Sequence, residues 1–253
     1  MPANKLYVRG LADSFLKAFN FEFCKDLSDS LWKNRGAWVE KQAAKVPAGS
    51  KVLDVGAGAC QYKPLFKDCE YTAQDFAQTP NMTYGQIDVV SDITKIPLKS
   101  DSYDVVLCSE VFEHIPYPEK ALQEIVRLMK PGGKLIFSAP LGSGQHQQPY
   151  HYFGGYTRFW YEKFFPENGL RIDSLTPNGG LYGHITEMLW RSQPSVLEFT
   201  RSRGLLGKLL AYWLQIIVYN IPTIVLWKFE KKTTIEDFTV CFLVTATKKR
   251  KSK

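Results

Sequence analysis

From Lys51 onward, short apolar runs alternate with longer amphipathic stretches. Val52, Leu53 and Val55 read as a buried strand. A helix is expected from Gln61 to Phe66, with Pro64 tolerated in its first turn. Tyr71–Phe76 reads as a second strand and Gly85–Val90 as a short third. Asp104–Cys108 has the strongly apolar middle of a fourth. Pro118–Met129 carries Ala121, Leu122, Ile125, Val126 and Met129 at helical spacing. Lys130-Pro131-Gly132-Gly133 is a helix stop and turn, and Lys134–Ala139 is a fifth strand. Thr157 caps a helix through Trp160, Phe164 and Phe165 that ends before Asn168-Gly169. Strands that alternate with helices imply a parallel sheet covered on both faces.

The flanks have a different pattern. Ala12–Phe23 places Phe15, Leu16, Phe19 and Phe23 near helical spacing. Leu27–Val46 repeats Leu31, Trp38, Val39 and Ala43, with Asp26 or Ser28 as N-cap, and stops at Pro47-Ala48-Gly49. These helices either pack on the core or form a lid. Leu205–Trp227 is 23 residues of mostly apolar chain, long enough for a bilayer, which needs ~20 residues. Lys208, Gln215, Asn220 and Pro222 interrupt it, Arg201, Arg203, Lys228, Lys231 and Lys232 flank it, and Tyr212, Trp213, Tyr219 and Trp227 are aromatic anchors. The expectation is two helices broken near Asn220-Ile221-Pro222. They lie on a membrane surface, clasp a lipid-like substrate, cap the domain or bury themselves in a homodimer interface.

Composition narrows the class. At 45% hydrophobic and 23% charged, the 253 residues are those of a folded chain. The net charge of +7 includes the tail Lys248, Lys249, Arg250, Lys251 and Lys253; a solvated end is the plain reading, and contact with anionic lipid headgroups or with nucleic acid the sharper ones. The five cysteines are scattered without a C-x-x-C pair. That argues against a disulfide framework and a zinc site, so no metal is expected, and the compartment is reducing. The N-terminus shows no signal-peptide pattern. The expected location is the cytoplasm, peripheral on the inner face of a membrane if the apolar segment meets lipid.

The chemistry concentrates at Lys51–Tyr62. Asp54 lies inside an apolar strand, where a carboxylate needs a partner. Gly56 and Gly58 end the strand and allow a ligand to approach the backbone. Asp75 follows 21 residues after Asp54, the offset at which a βαβ unit sets a carboxylate beside ribose hydroxyls. Cys60 occupies the third glycine position, so this is not a dinucleotide G-x-G-x-x-G loop.

Val52-Leu53-Asp54-Val55-Gly56-Ala57-Gly58 resembles motif I of the class I S-adenosylmethionine-dependent methyltransferases. Asp75 matches their second-strand acid and Asp92-Ile93 their adenine-contacting pair. Asp104–Ile115 resembles their fourth-strand motif in the small-molecule and glycan subgroup, and Leu128–Leu135 the turn before strand five. Phe238–Thr247 looks like their final strand. The resemblance implies an α/β, Rossmann-like, doubly wound, seven-stranded, mostly parallel sheet with a helical insertion before the last strand. Its expected divisions are a helical cap at 1–49, a cofactor-binding core at 50–180, an apolar insertion at 181–236, the final strand at 237–247 and a basic tail at 248–253. It implies that S-adenosylmethionine is the cofactor. Asp54, Gly56, Ala57 and Gly58 would hold its methionine end, Asp75 and Phe76 its ribose, Asp92 and Ile93 its adenine, and backbone near Ser109 its methionine portion.

The acceptor is less constrained. The loop after strand five, Pro140–Trp160, leaves the carboxyl end of a central strand and holds two of the four histidines. His146 or His151 could take a proton from a hydroxyl, or orient the loop. Tyr150, Tyr152, Tyr156 and Trp160 could stack on a ring or simply pack. His114 is assigned to packing or loop anchoring, and His184 has no specified role. The expected reaction is O-methylation of a sugar, glycolipid or other amphipathic, lipid-linked small molecule. The alternatives are a nucleic-acid or protein methyltransferase, or an inactive cofactor-fold binding protein. The chain has no Asn-Pro-Pro-Tyr motif and no concentrated basic face, so nucleic acid is not expected.

Overall fold

A computed structural model describes residues 20–232 and 237–250. They form two compact units: residues 35–178 with 240–250, and residues 20–34 and 179–232 with 237–239. Residues 12–19 of the first expected helix and Lys251 and Lys253 of the tail lie outside the described residues.

The larger unit is a seven-stranded sheet of β1 (Lys51–Val55), β2 (Glu70–Asp75), β3 (Val89–Val90), β4 (Tyr103–Ser109), β5 (Met129–Pro140), β6 (Leu170–Pro177) and β7 (Cys241–Lys248). Their order is β3-β2-β1-β4-β5-β7-β6. β7 is antiparallel to β5 and β6, and the other neighbours are parallel. This is the doubly wound, mostly parallel sheet that the sequence implies. The chain winds outward through β2 and β3, then returns to β4 on the other side of β1. That reversal opens a crevice at the carboxyl ends of β1 and β4.

Helices in chain order are α1 (Phe21–Ser28), α2 (Ser30–Ala43), α3 (Pro118–Leu128), α4 (Arg158–Glu167), α5 (Leu181–Arg201), α6 (Gly204–Leu214) and α7 (Ile221–Lys232). Strand residues alternate between two cores with the period of the pleat. Leu53, Val55, Val106, Cys108, Leu135 and Phe137 meet Leu122, Ile125 and Leu128 of α3 and Tyr161 and Phe165 of α4. Val52, Val105, Leu107 and Ile136 face the other way, onto Val39 and Ala43 of α2 and Phe66. Each fully buried leucine or isoleucine of α3 stabilises the fold by roughly 1.5–3 kcal/mol.

Six expectations need correction. The third strand is Val89–Val90 alone rather than Gly85–Val90, and Thr157 stands at the N-cap position of α4 without a side-chain capping bond. The helix over Leu27–Val46 is two helices, with Asp29 between them. Asn20 caps α1 by accepting from the Phe23 N–H at 3.0 Å, while Ser28 turns its hydroxyl back onto the Lys25 carbonyl. The helix from Gln61 shrinks to one 3-10 turn, Lys63–Phe66, because Cys60 just before it has φ +56° and is not helical. β5 begins at Met129, which pairs with Tyr103, and residues 130–133 bulge before Lys134 pairs with Val105. Gly132, at φ +86°, makes that bulge feasible. The apolar segment does not break at Pro222: Gly204–Lys231 is one helical run of 28 residues. A wide π-type turn at Gln215–Asn220 precedes the proline, and the Ile221 N–H bonds Ile216 O, five residues back. Such a turn accommodates a residue with no N–H to give.

In the smaller unit, Cys24 and Ile224 pack with Phe23, Leu27, Trp190 and Ile221. Leu197, Ala211 and Tyr219 form a second cluster with Leu189, Leu214 and Val218. Gly204–Lys231 is long and apolar enough to cross a membrane by length and composition. Its outer stripe, Leu205, Leu206, Leu209, Leu210, Trp213 and Ile217, is exposed, with Leu206 81% accessible.

Candidate functional site

A cavity of about 310 Å³ lies in the larger unit, at the crevice the strand order creates. One wall is Gly56, Gly58, Gln74, Asp75 and Phe76, and a second is Thr79, Met82 and Tyr84. Asp92, Ile93 and Thr94 form a third side, and Glu110, Val111, His114, Tyr117, Gln147, Tyr150 and Tyr152 complete it.

The glycine loop is built by strain that only glycine accepts. Gly56 has φ +71°, and a Cβ there would lie 2.5 Å from Val111 Cγ2. Asp75, at the end of β2, accepts the Gly58 N–H and the Ala77 N–H, each at 2.8 Å. An ionised carboxylate offers about four lone-pair sites. Two are spent holding the loop, and Asp75 still forms part of the cavity wall, where it can accept from a diol. Phe76 sets its ring edge-on to Tyr150, 5.4 Å away. Asp92 holds its own turn, since Oδ1 accepts both the N–H and the hydroxyl of Thr94 at 2.7 Å. Ile93 is nearly buried and presents an apolar side.

Three expected cofactor residues do not reach the cavity wall. Asp54 is 3% exposed beneath the loop. Its partner is Tyr71, whose hydroxyl donates to Oδ2 at 2.5 Å. Burial pushes the Asp54 carboxyl up to about 7, against the Tyr71 hydrogen bond and with help from the Asp75 charge. Ala57 is nearly buried, and its N–H donates to Gln74 O at 2.9 Å. The Ser109 hydroxyl bonds that of Ser138 at 2.9 Å.

The other end of the cavity is richer than the sequence suggested. His146 and His151, on the loop after β5, converge with His114, on the single turn after β4. Ring centroids are 4.7 Å apart for His114 and His146, 5.5 Å for His114 and His151, and 4.8 Å for His146 and His151. His114 does anchor the loop, through Nδ1 and Tyr150 O. It also lines the cavity, whereas His146 and His151 stand behind it. Burial pulls the His114 imidazole down to about 4, only partly offset by the Tyr150 carbonyl. Burial and the neighbouring His146 also lower His151. Glu113, beside them, is pushed up to about 8 by burial and by Glu110. Its Oε1 lies 3.7 Å from His114 Nε2, but near pH 7 burial leaves both groups uncharged, so this is not an ion pair.

Glu110 falls within the Asp104–Ile115 stretch, where the sequence assigns it no role. It lines the cavity at φ +56°, paired with Arg35 at 3.0 Å and accepting from the Ser138 hydroxyl at 2.8 Å. A glutamate directly after an apolar strand was its only sequence signal. Met82 and Tyr84 had none, because they come from an irregular stretch between β2 and β3.

Comparison with known proteins bears on the fold that holds this cavity. Residues 53–137 match the family model described as a methyltransferase domain. The ubiquinone biosynthesis O-methyltransferase of Pseudomonas putida is 29% identical over 116 residues, which is 40% of this chain and 48% of that protein. The chain thus spans about half the length of the curated relatives it matches. Two solved structures share the fold. The Haemonchus contortus phosphoethanolamine N-methyltransferase 2, in complex with S-adenosyl-L-methionine, aligns with TM-score 0.51 and 17% identity over 87% of this chain and 53% of that one. The YcgJ protein of Bacillus subtilis aligns with TM-score 0.50 and 16% identity over 87% of this chain and all of that one. The seven-stranded sheet has the fold of the class I methyltransferases, and residues 53–137 match the methyltransferase-domain model within it.

Proposed function

From a methyltransferase domain whose glycine loop, Asp75 and Asp92-Ile93 face one cavity, we propose that this protein transfers a methyl group from S-adenosylmethionine to a hydroxyl oxygen. The observation that carries the reading is Asp75. Its carboxylate braces the glycine loop through Gly58 and Ala77 and at the same time forms cavity wall. The residues fit the cofactor: a diol acceptor at Asp75, an apolar slot between Phe76 and Ile93, and a glycine backbone open to close approach.

Bound S-adenosylmethionine supplies an electrophilic methyl on a sulfonium. The chain's part is to hold the acceptor oxygen in line and dispose of its proton. Tyr150, Tyr152 and His114 line the acceptor end. The acceptor is a sugar, glycolipid or other amphipathic small molecule. In support, the curated relatives are named O-methyltransferases, and the wall beside the histidines is aromatic. Calorimetry with S-adenosylhomocysteine tests cofactor binding, and transfer of labelled methyl to hydroxylated amphiphiles tests the reaction. A protein that binds no cofactor at micromolar concentration would refute the proposal.

We also place this activity at the cytoplasmic face of a membrane. The exposed stripe Leu205, Leu206, Leu209, Leu210, Trp213 and Ile217 runs along one helix face, and Arg201, Arg203, Lys228 and Lys231 flank it. That combination suits an anionic lipid surface. All five cysteines are free thiols, as a reducing compartment keeps them. Flotation with anionic vesicles at low salt tests the placement, and protein left at the bottom of the gradient would exclude it.

A further inference from the structure

We propose that His114, His146 and His151 form a binding site for a divalent transition-metal ion, with zinc the best-suited occupant. Each offers one ring nitrogen such that the three lie within 4.8 Å of one another.

Convergence alone would be weak, but hydrogen bonds fix the tautomers of His114 and His146. A carbonyl can only accept, so His114 Nδ1, against Tyr150 O, carries the proton. Nε2 of His114 therefore holds the lone pair, and that atom is buried with no hydrogen-bond partner. His146 repeats the arrangement: Nδ1 donates to Gly144 O at 2.9 Å, which leaves the lone pair on Nε2. In His151 the buried Nδ1 has no hydrogen-bond partner. A histidine whose far nitrogen is pinned by a backbone carbonyl is the usual outer arrangement of a metal ligand. Orphaned buried ring nitrogens are costly unless something fills the space between them.

A fourth donor is at hand. Glu113 Oε1 is 3.7 Å from His114 Nε2, and Glu113 Oε2 is buried without a partner. Three imidazoles and a carboxylate oxygen favour zinc, cobalt or nickel over magnesium or calcium, which prefer all-oxygen sites. Tetrahedral zinc with bonds of about 2.0–2.1 Å would set nitrogens about 3.4 Å apart, so the rings must close on the ion by side-chain rotation. The cysteine spacing on which no metal was expected says nothing about histidines brought together from two loops.

The catalytic consequence rests on the methyl-transfer reading; ion binding does not. Glu113 can yield the fourth position to an acceptor hydroxyl, since His114 belongs to the cavity wall. There it would lose its proton to solvent water, and the O–CH3 bond would form as the S–CH3 bond breaks. The imidazoles would then serve as ligands rather than bases.

The test uses tag-free, chelator-stripped protein. Titration with Co²⁺, followed by visible absorption, and with Zn²⁺, followed by calorimetry, should give one ion per chain. His114→Ala, His146→Ala and His151→Ala should each weaken Zn²⁺ binding by at least about tenfold, whereas His184→Ala should not. S-adenosylhomocysteine binding by His146→Ala separates failure of this site from failure of the cofactor pocket. Absence of stoichiometric binding, or binding indifferent to all three substitutions, overturns the proposal.

Discussion

Asp54 offers a quantitative test of the buried strand. Its carboxyl is pushed from 3.8 to about 7 by burial. A carboxyl whose folded pKa lies above its unfolded one binds more protons in the folded state, so its contribution to stability falls as pH rises from about 4 to about 7. Above pH 7 the full cost of holding the charge is present, about 4 kcal/mol at 1.36 kcal/mol per unit. An asparagine side chain in its place cannot ionise and can still accept the Tyr71 hydroxyl. Asp54→Asn should therefore stabilise the sheet more at pH 8 than at pH 5, with the gain growing by about 2–3 kcal/mol between them. Differencing variant against wild type removes the other titrating groups, such as Glu113 and His114. Hydrogen exchange of the β1 amides, compared between the two proteins at both pH values, reports the unit that contains the strand. A difference that is the same at pH 5 and pH 8 would show that Asp54 ionises like an exposed carboxylate, and the burial argument would fall.

Three further outcomes are expected. Asp75→Ala should weaken S-adenosylhomocysteine binding by about 1.5–3 kcal/mol, roughly 10- to 100-fold, through loss of charge-assisted hydrogen bonds; calorimetry that shows unchanged affinity would remove Asp75 from the site. Gly56→Ala should destabilise the larger unit by about 1–2 kcal/mol for the left-handed backbone alone, plus the clash with Val111, and adding Val111→Ala should recover part of the loss in chemical denaturation. Leu206→Asp with Leu210→Asp should abolish vesicle flotation while leaving cofactor affinity unchanged; flotation that persists would move the lipid contact elsewhere.

The sheet was legible because its signals are local. Strands buried on both faces read as unbroken apolar runs, and the acid at the end of β2 stands at a fixed chain distance from the glycine loop. What was misread depended on single backbone angles. Cys60 at φ +56° cuts the Gln61 helix to one turn, and no pattern of polar and apolar residues announces a left-handed cysteine. Pro222 was read as a break because proline removes an N–H. The structure instead absorbs it with a wider turn whose register is set by the packing of Ile216, Tyr219 and Asn220.

The two ends of the cavity show the same division at the level of chemistry. The cofactor end is made of β1, β2, β3 and the loops directly after them, so chain spacing fixes the geometry and a motif can carry it. The acceptor end joins a turn after β4 to a loop after β5, with 31 residues between His114 and its first partner, His146. No periodicity links such positions; only the pairing of Val106 with Leu135 and of Cys108 with Phe137 sets the two strands side by side and brings their exits together. His114 was assigned to anchoring, and it does anchor, through Nδ1. A ring has two nitrogens, however, and the one that anchors determines that the other keeps its lone pair. The structural role thus sets up the chemical one.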